Sequence, residues 1–504
     1  MATMDNFTSL SSFTAEIFLA GFIILLLAAS FFRKNRESGM GFAYAAGIFG
    51  IVGTLLFELQ GWTADNNAVY LFYGMLRNDS LAHLFKLLCL LSSLLLLVFS
   101  LVSRETNRRF DNTAEYVLLI LSATFGMMLM ASSENLLMMY LSLEFLSLTS
   151  YMLTGFTDRD AKTSEAAVKY LLYGGIASGV MLYGLSLLYG ITGALDYASM
   201  REFFAGHEVS GIILHISIIM VMAGMGFKIA SFPFHSWCPD VYEGAMTPFT
   251  AFLSVGSKAA GFAIIIRFFS QIFGLETTTK LGHTFDWQTT IAVLSACSMT
   301  FGNLAALQQK NIKRLLAYSS IAHAGYILMA VACRSQLGVT SAFFYLSVYF
   351  LMNFGAFLVV IIISNELNSD MVSDYEGLVW KNRKGAFLAA MFAIYLFSLT
   401  GVPPFAGFIG KFYLLLSVLE KGRALYWLAG VAVLNTVISF YYYSRILRLM
   451  LLSRRLKGAD LSEMQRGDYL PYSLMAGLAI LTILFGIYWT PLYNFSRLAG
   501  MAMK

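Results

Sequence analysis

Residues 221–261 read VMAGMGFKIASFPFHSWCPDVYEGAMTPFTAFLSVGSKAAG, and this stretch decides the fold. Lys228 and Lys258 sit inside apolar runs, with Pro233, Pro239 and Pro248 between them. A lysine in hydrocarbon is expensive and as a rule lines a cavity or an ion path. Proline breaks a helix, and a broken membrane helix is tolerated only where protein or trapped water re-satisfies its backbone. The stretch therefore predicts two helices bent around a buried cationic site.

The rest of the chain has the composition such a site requires. Of its 504 residues, 58% are hydrophobic and only 12% charged, about half the charge of a soluble domain. The apolar residues come in runs of about 20, long enough to span a bilayer. This is an all-α, polytopic membrane protein embedded in lipid. The net charge of +5 is spread over loops that flank the membrane, with no separate basic block, so nucleic acid is excluded as a partner. The N-terminus, MATMDNFTSLSSFTAEIF, lacks a basic n-region, so the first span is expected to be retained. Cys89, Cys238, Cys297 and Cys333 are scattered, with no C-x-x-C pair to hold a cluster and no pattern of a disulfide framework. No glycine-rich phosphate fingerprint is present. The chain is expected to carry no redox cofactor, nucleotide or metal of its own.

Run lengths predict about fourteen spans, at 14–32, 40–60, 81–102, 114–132, 135–155, 165–189, 212–232, 246–269, 287–307, 315–333, 341–363, 385–419, 425–447 and 471–487. Basic residues cluster in alternate loops: Arg33, Lys34 and Arg36; Arg104, Arg108 and Arg109; Arg159 and Lys162; Lys310, Lys313 and Arg314; Lys381, Arg383 and Lys384; and Arg445 through Lys457. By the positive-inside rule both termini lie outside the cytoplasm. The loop between the seventh and eighth spans has no Lys or Arg, so the rule is silent there.

Five of the seven prolines fall in two places. One is the opening stretch. The other is the twelfth span, SLTGVPPFAGFIGKFYLL, which holds Pro403, Pro404 and Lys411 and is too long for one straight crossing. AGMGFK ends at Lys228 and AGFIGK at Lys411. Interrupted segments in corresponding places point to an internal repeat with a site at its centre. The chain then divides into residues 1–113 (spans one to three), 114–270 (spans four to eight), 287–452 (spans nine to thirteen) and 471–504 (span fourteen). The prolines lie on opposite sides of the two lysines, so the repeat is weak as sequence.

Glu144 lies mid-span in MMYLSLEFLSLTSYML, and Lys169 in EAAVKYLLYGG. With Lys228, Lys258 and Lys411 they make five charges in five spans. A nearby opposite charge favours an ionised group and burial favours its neutral form, so a buried lysine can be poised between the two. Lysine can then gain and lose a proton, which arginine does not, and none of the five is arginine. The competing reading is a set of structural ion pairs between helices, which packing alone rarely needs in such number. Lys86 and Arg267 lie nearer span ends and are expected to snorkel to the interface. His323, in LAYSSIAHAGYILM, and His235, after the break in span seven, are candidate proton relays or packing histidines. The Met, Phe and Tyr residues, including Tyr441, Tyr442 and Tyr443, are expected to pack or face lipid.

The segment FPFHSWCPDVYEGAMTPFTAFLSVGSK, at 232–258, resembles the signature of the antiporter-like membrane subunits of respiratory complex I. NIKRLLAYSSIAHAGY, at 311–326, and GVPPFAGFIGKFYLL, at 401–415, resemble two further blocks of that family in matching order and spacing, and the likeness covers nearly the whole chain. The PDVYEG form with lysine at 411 looks most like the N-type branch, which has a plastid counterpart. M-type members typically carry glutamate at the position of Lys411, and L-type members a long lateral helix for which this chain leaves no room after span fourteen. Cys238 stands where relatives commonly have threonine.

The resemblance implies fourteen transmembrane helices, two inverted five-helix repeats and broken helices seven and twelve. It implies that Glu144 and Lys228 form the key buried pair, with Lys169 nearby, and that Lys258 continues a polar axis toward Lys411. It implies a proton-translocating subunit of NADH:quinone oxidoreductase in a bacterial inner membrane, with a plastid membrane as the lesser alternative. Its partners would be an M-type subunit and small membrane subunits. Quinone, flavin and iron–sulfur clusters would reside on partner subunits. The competing functions are a subunit of a multi-subunit cation/proton antiporter, which shares the lysines and broken helices, and a membrane scaffold with vestigial charges.

Overall fold

Polar residues at the ends of the apolar runs start the helices. Asp79, Asn135, Asp160, Asp286, Asn311, Ser335 and Asn382 each accept a hydrogen bond from a backbone N–H in the first turn that follows, donors that have no partner within the helix itself. A computed structural model of the protein describes residues 4–32, 39–62, 68–109, 112–157, 160–207, 209–273, 286–453 and 469–502. The loop residues Arg33, Lys34, Arg36 and Arg159, and the basic residues at 454–457, lie outside them. Of Arg108 and Arg109 only the backbone is described.

The spans are, in order, Thr14–Phe32, Gly39–Gly61, Ser80–Val102, Thr113–Ser132, Leu136–Thr154, Ala161–Thr192, a broken seventh, a modified eighth, Trp287–Leu307, Ile312–Ala332, Gln336–Leu367, a broken twelfth, Tyr426–Leu451 and Tyr469–Ile487. Among the described residues thirteen helices are long and apolar enough to cross a membrane, and the first span supplies a shorter apolar one. The sixth and eleventh, at 32 residues each, are longer than their apolar runs predict because polar caps extend them.

The seventh span runs Gly211–Ile229, stops where Ala230 turns left-handed (φ 57°), and resumes as Trp237–Gly244. The twelfth runs Arg383–Thr400, stops at Gly401 (φ 89°) and the Pro403–Pro404 pair, and resumes as Ala406–Lys421. Both interruptions predicted from the prolines are present. Pro248 is different: it lies in the opening turn of the eighth span, where proline is tolerated, and breaks nothing. Pro239 likewise sits in the first turn of Trp237–Gly244. The eighth span carries an unexpected feature, a π-helical turn at Leu253–Ser257 between Thr247–Phe252 and Lys258–Ile272. Such turns open the backbone ladder and often mark functional sites.

The eighth, tenth and eleventh spans form the buried centre. The ninth and tenth pack backbone to backbone through Gly302 and Gly325, where a Cβ would come within 2.7 Å of the Ala322 and Met299 amide nitrogens respectively. Small residues permit such approach in membranes, where water exclusion does not drive helices together. Outer spans present Ile176, Tyr183, Ile212 and Val437 outward, as lipid-facing surfaces do. One face of the bundle, the terminal face, carries the short helix Asn6–Leu10, an antiparallel hairpin pairing Val69–Leu71 with Leu76–Asn78, and a final helix, Thr490–Met501, that the run lengths do not predict. Met4 and Tyr70 join by a backbone hydrogen bond, and Arg77 reaches the Ala502 carbonyl.

Candidate functional site

Each interruption leaves a half-helix whose last carbonyls have no partner of their own and whose dipole is negative at that end. A lysine meets each of these ends. Lys228 is in the last turn of Gly211–Ile229. Lys411 reaches back across the twelfth-span break and donates to the Thr400 carbonyl at 2.9 Å, and its ammonium stands 4.7 Å from the Tyr326 ring centroid. Lys258 follows the π turn directly and donates to the carbonyl and hydroxyl oxygens of Ser320 at 2.8 and 2.9 Å. All three side chains are buried, none more than 6% exposed.

The tenth span links them. Ser320, His323 and Tyr326 follow one another at helical spacing of one turn. Ser320 holds Lys258, Tyr326 faces Lys411, and His323 lies within electrostatic range of both lysines. His323 Nδ1 is 2.6 Å from the Tyr345 hydroxyl and its Nε2 is 3.5 Å from that of Tyr443. Tyr443 in turn bonds Ser319. Ser320 Oγ lies 3.5 Å from the Tyr242 hydroxyl and 4.0 Å from Cys238 Sγ. At the other end, a Cβ on Gly261, one turn beyond Lys258, would sit 3.5 Å from Lys228 Cγ, so the two lysines are neighbours along the eighth span.

Several expectations need correction. Lys228 donates to Ser147 Oγ at 3.2 Å. Glu144, one turn before Ser147, acts on Lys228 electrostatically but makes no ion-pair contact with it among the described residues, and its Oε1 is buried without a hydrogen bond. Lys169 is no buried charge. Its side chain is 37% exposed and is held by Asp240 and Glu165, each at 2.7 Å. Asp240 also takes Arg314 at 2.5 Å, so the second half of the seventh span is tied to the sixth and tenth. His235 packs between Phe232 and Phe301, with ring centroids 5.5 and 4.4 Å away. Lys86 and Arg267 do not snorkel. Both are buried and paired, Lys86 with Glu16 at 2.6 Å and Arg267 with Asp79 at 2.7 Å and Glu134 at 3.0 Å. Tyr443, expected only to pack, presents its hydroxyl to His323. Ser147, Ser320, Tyr345 and Thr400 were not singled out from sequence, and no local signal marks them.

Residues 133–439 match the family described as NADH:quinone oxidoreductase/Mrp antiporter, TM. A relative in Chloroherpeton thalassium named NADH-quinone oxidoreductase subunit N 2 is 44% identical over 490 residues, 96% of this chain and 93% of the relative. The chain belongs to the subunit N family of NADH-quinone oxidoreductases. Among solved structures, a chain of respiratory complex I from Thermus thermophilus, determined with bound Aureothin, superposes with a TM-score of 0.77 at 30% identity, over 95% of this chain and 98% of that one. A chain of the Mrp complex from Dietzia superposes with a TM-score of 0.76 at 20% identity, over 98% of this chain and 96% of that one, a likeness of fold alone. The stretch matched by that family model includes every lysine of the row, Glu144 and His323, and begins after the first four spans.

Proposed function

We propose that the chain is a proton-translocating membrane-arm subunit of an NADH-quinone oxidoreductase. Family membership supplies the complex, and one observation carries the proton role. Among the described residues, the buried cations Lys86, Arg267, Lys313 and Lys384 all face carboxylates, whereas Lys228, Lys258 and Lys411 make no ion pair. Their acceptors are neutral hydroxyl and carbonyl oxygens. An ammonium so placed can release its proton without stranding a bare carboxylate, and burial favours that release. The row Lys228, Lys258, His323, Lys411 is then the path, with Glu144 biasing its first member and Lys169 latching the broken seventh span through Asp240.

Electron transfer belongs to partner subunits that hold flavin, iron–sulfur clusters and quinone; this chain supplies the proton row. Its neighbours are an M-type antiporter-like subunit and small membrane subunits. Spans four to eight and nine to thirteen act as two inverted repeats around the row, with spans one to three and fourteen outside them. The membrane is a bacterial inner membrane. Basic residues on the loops of the face opposite the termini support a cytoplasmic placement for that face and a non-cytoplasmic one for the termini.

Purification of the intact complex through a tag on this chain tests the reading. Co-purifying quinone-reducing activity and donor-driven proton uptake in vesicles are expected. Sodium/proton exchange without any redox donor would instead assign the antiporter function.

The two histidines give a sharper test. His323→Gln keeps a hydrogen-bonding group near Tyr345 but removes the titratable ring between two lysines, so donor-driven pumping should fall by about 100-fold, the scale of a lost proton-transfer group. His235→Leu preserves a packing group between Phe232 and Phe301 and removes no member of the row, so pumping by the assembled complex should stay at the parent's level. Equal effects of the two substitutions would remove His323 from the path.

A further inference from the structure

The first three spans end at the terminal face in a charged pocket that the lysine row does not use. Glu16 opens the first span, Glu58 closes the second, and His83 and Lys86 begin the third. His83 Nδ1 is 2.5 Å from Glu58 Oε1, and Trp62 stacks on the imidazole with 12° between the planes. Lys86 Nζ lies 2.6 Å from Glu16 Oε1 and 3.9 Å from Glu58 Oε1, and donates to Asn78 Oδ1 at 2.7 Å. Beside this group, Arg77 and Arg267 hold Asp79, at 2.9 and 2.7 Å, and Glu134, at 3.7 and 3.0 Å. A cavity of about 290 Å³ is lined by Glu16, Glu58, Asp79 and His83. His83 is the best placed to meet its water, with 14% of its side chain exposed against 3% for Glu58.

We propose that the Glu58–His83 pair is a proton-exchange site open to water at the terminal face of the bundle, separate from the lysine row. Its ligand is a single proton. Lys86 already places an ammonium between Glu16 and Glu58, so a metal cation has no place there. The charges require the proton. Glu16, Glu58, Asp79 and Glu134 face the fixed cations Arg77, Lys86 and Arg267, so with neutral His83 one negative charge is left over, and one added proton balances the set. Uncompensated charge in a buried cluster costs several kcal/mol. The imidazole at the cavity is where the balancing proton enters and leaves, because its Nδ1 meets Glu58 Oε1 and its side chain is the most exposed of the set.

The site also has a mechanical outlet. Asp79 caps the third span and grips Arg267, which lies nine residues beyond Lys258 on the continuous helix Lys258–Ile272. At 1.5 Å per residue that is about 14 Å along one rigid rod. Proton occupancy at Glu58–His83 therefore changes the charge beside the helix that carries Lys258. On the sidedness proposed above, the water concerned is non-cytoplasmic, and the site senses the compartment that receives pumped protons.

The test uses the assembled complex in sealed vesicles, with pH set independently inside and outside and donor-driven quinone reduction measured with the membrane potential dissipated. The parent complex should show a one-proton inflection in rate on the side that the terminal face meets. Glu58→Gln, which removes the surplus negative charge without changing shape, should abolish that inflection. His83→Gln, which keeps the surplus charge but removes the ring that exchanges its proton with the cavity, should displace or abolish the inflection and serves where Glu58→Gln does not assemble. Loss of the inflection supports the site, and the compartment in which it is lost reports the sidedness separately. Assembled variants that keep the parent's pH profile on both sides overturn the site.

Discussion

Lys228→Arg in an assembled complex should stop coupled proton pumping as thoroughly as Lys228→Ala, each by about 100-fold, the contribution of a positioned proton-transfer group. The argument rests on where Lys228 sits. It ends the first half of the seventh span, donates to Ser147 Oγ, and feels Glu144 without touching it. A proton on Lys228 is favoured by the half-helix dipole and by Glu144, and disfavoured by burial. These effects oppose one another, so a movement of Glu144 or of the break shifts the balance. Each pKa unit amounts to about 1.4 kcal/mol, well within what a conformational change in a neighbouring subunit can deliver. Arginine keeps the charge and never releases the proton. Glu144→Gln should lower pumping less than Lys228→Ala does, because no direct ion pair is lost. Ser147→Ala should have the smallest effect of the three. Proton uptake by vesicles carrying normally assembled complexes is the measurement. Full coupled pumping by Lys228→Ala would make the Lys228 region structural.

The parts of this site that sequence revealed are those whose cost is local. A lysine within an apolar run and a proline within a span are anomalous wherever the chain goes, so Lys228, Lys258, Lys411 and both helix breaks stood out. The parts it hid depend on what a distant segment supplies. Lys169 looks like Lys228 in an apolar window, yet Asp240, supplied by the second half of the following span, reaches it and makes it an exposed-edge ion pair. Lys86 and Arg267 lie near span ends, where snorkelling is the cheap solution; only the fold brings Glu16, Glu58, Asp79 and Glu134 from four separate segments to pair them instead. The tyrosines are ambiguous for a different reason. Their rings satisfy the packing pattern whatever the hydroxyl does, so the contacts of Tyr345 and Tyr443 with His323 leave no trace in periodicity. The π turn before Lys258 is written in LSVGS, residues compatible with an ordinary helix, and is set by its surroundings.

Arg267→Ala should prevent assembly, unlike any substitution in the lysine row. Its guanidinium donates to both Asp79 oxygens, to Glu134 and, through Nε, to the Ala131 carbonyl. Burial alone would raise the Asp79 carboxyl; Arg267 and Arg77 outweigh it and hold that carboxyl below its ordinary value. A carboxylate depressed in this way stabilises the fold at neutral pH, and the contribution is lost only as pH falls through the acid range. Removing Arg267 leaves two buried carboxylates to share Arg77, and breaking a buried pair in this manner costs roughly 3–5 kcal/mol. That is a large part of the 5–15 kcal/mol by which a typical domain is stable. The same reasoning predicts its own rescue. Arg267→Met combined with Glu134→Gln removes one charge of each sign, leaves Asp79 paired with Arg77 at 2.9 Å, and should restore the subunit to the membrane. Lys228→Ala carries no such penalty, since Lys228 has neutral acceptors. Native electrophoresis of solubilised membranes, followed by thermal inactivation of whatever assembles, reads the difference. Normal assembly and heat resistance of Arg267→Ala would mean that Arg77 alone neutralises Asp79 and Glu134, and that the terminal-face cluster is not what fixes the eighth span against the first four.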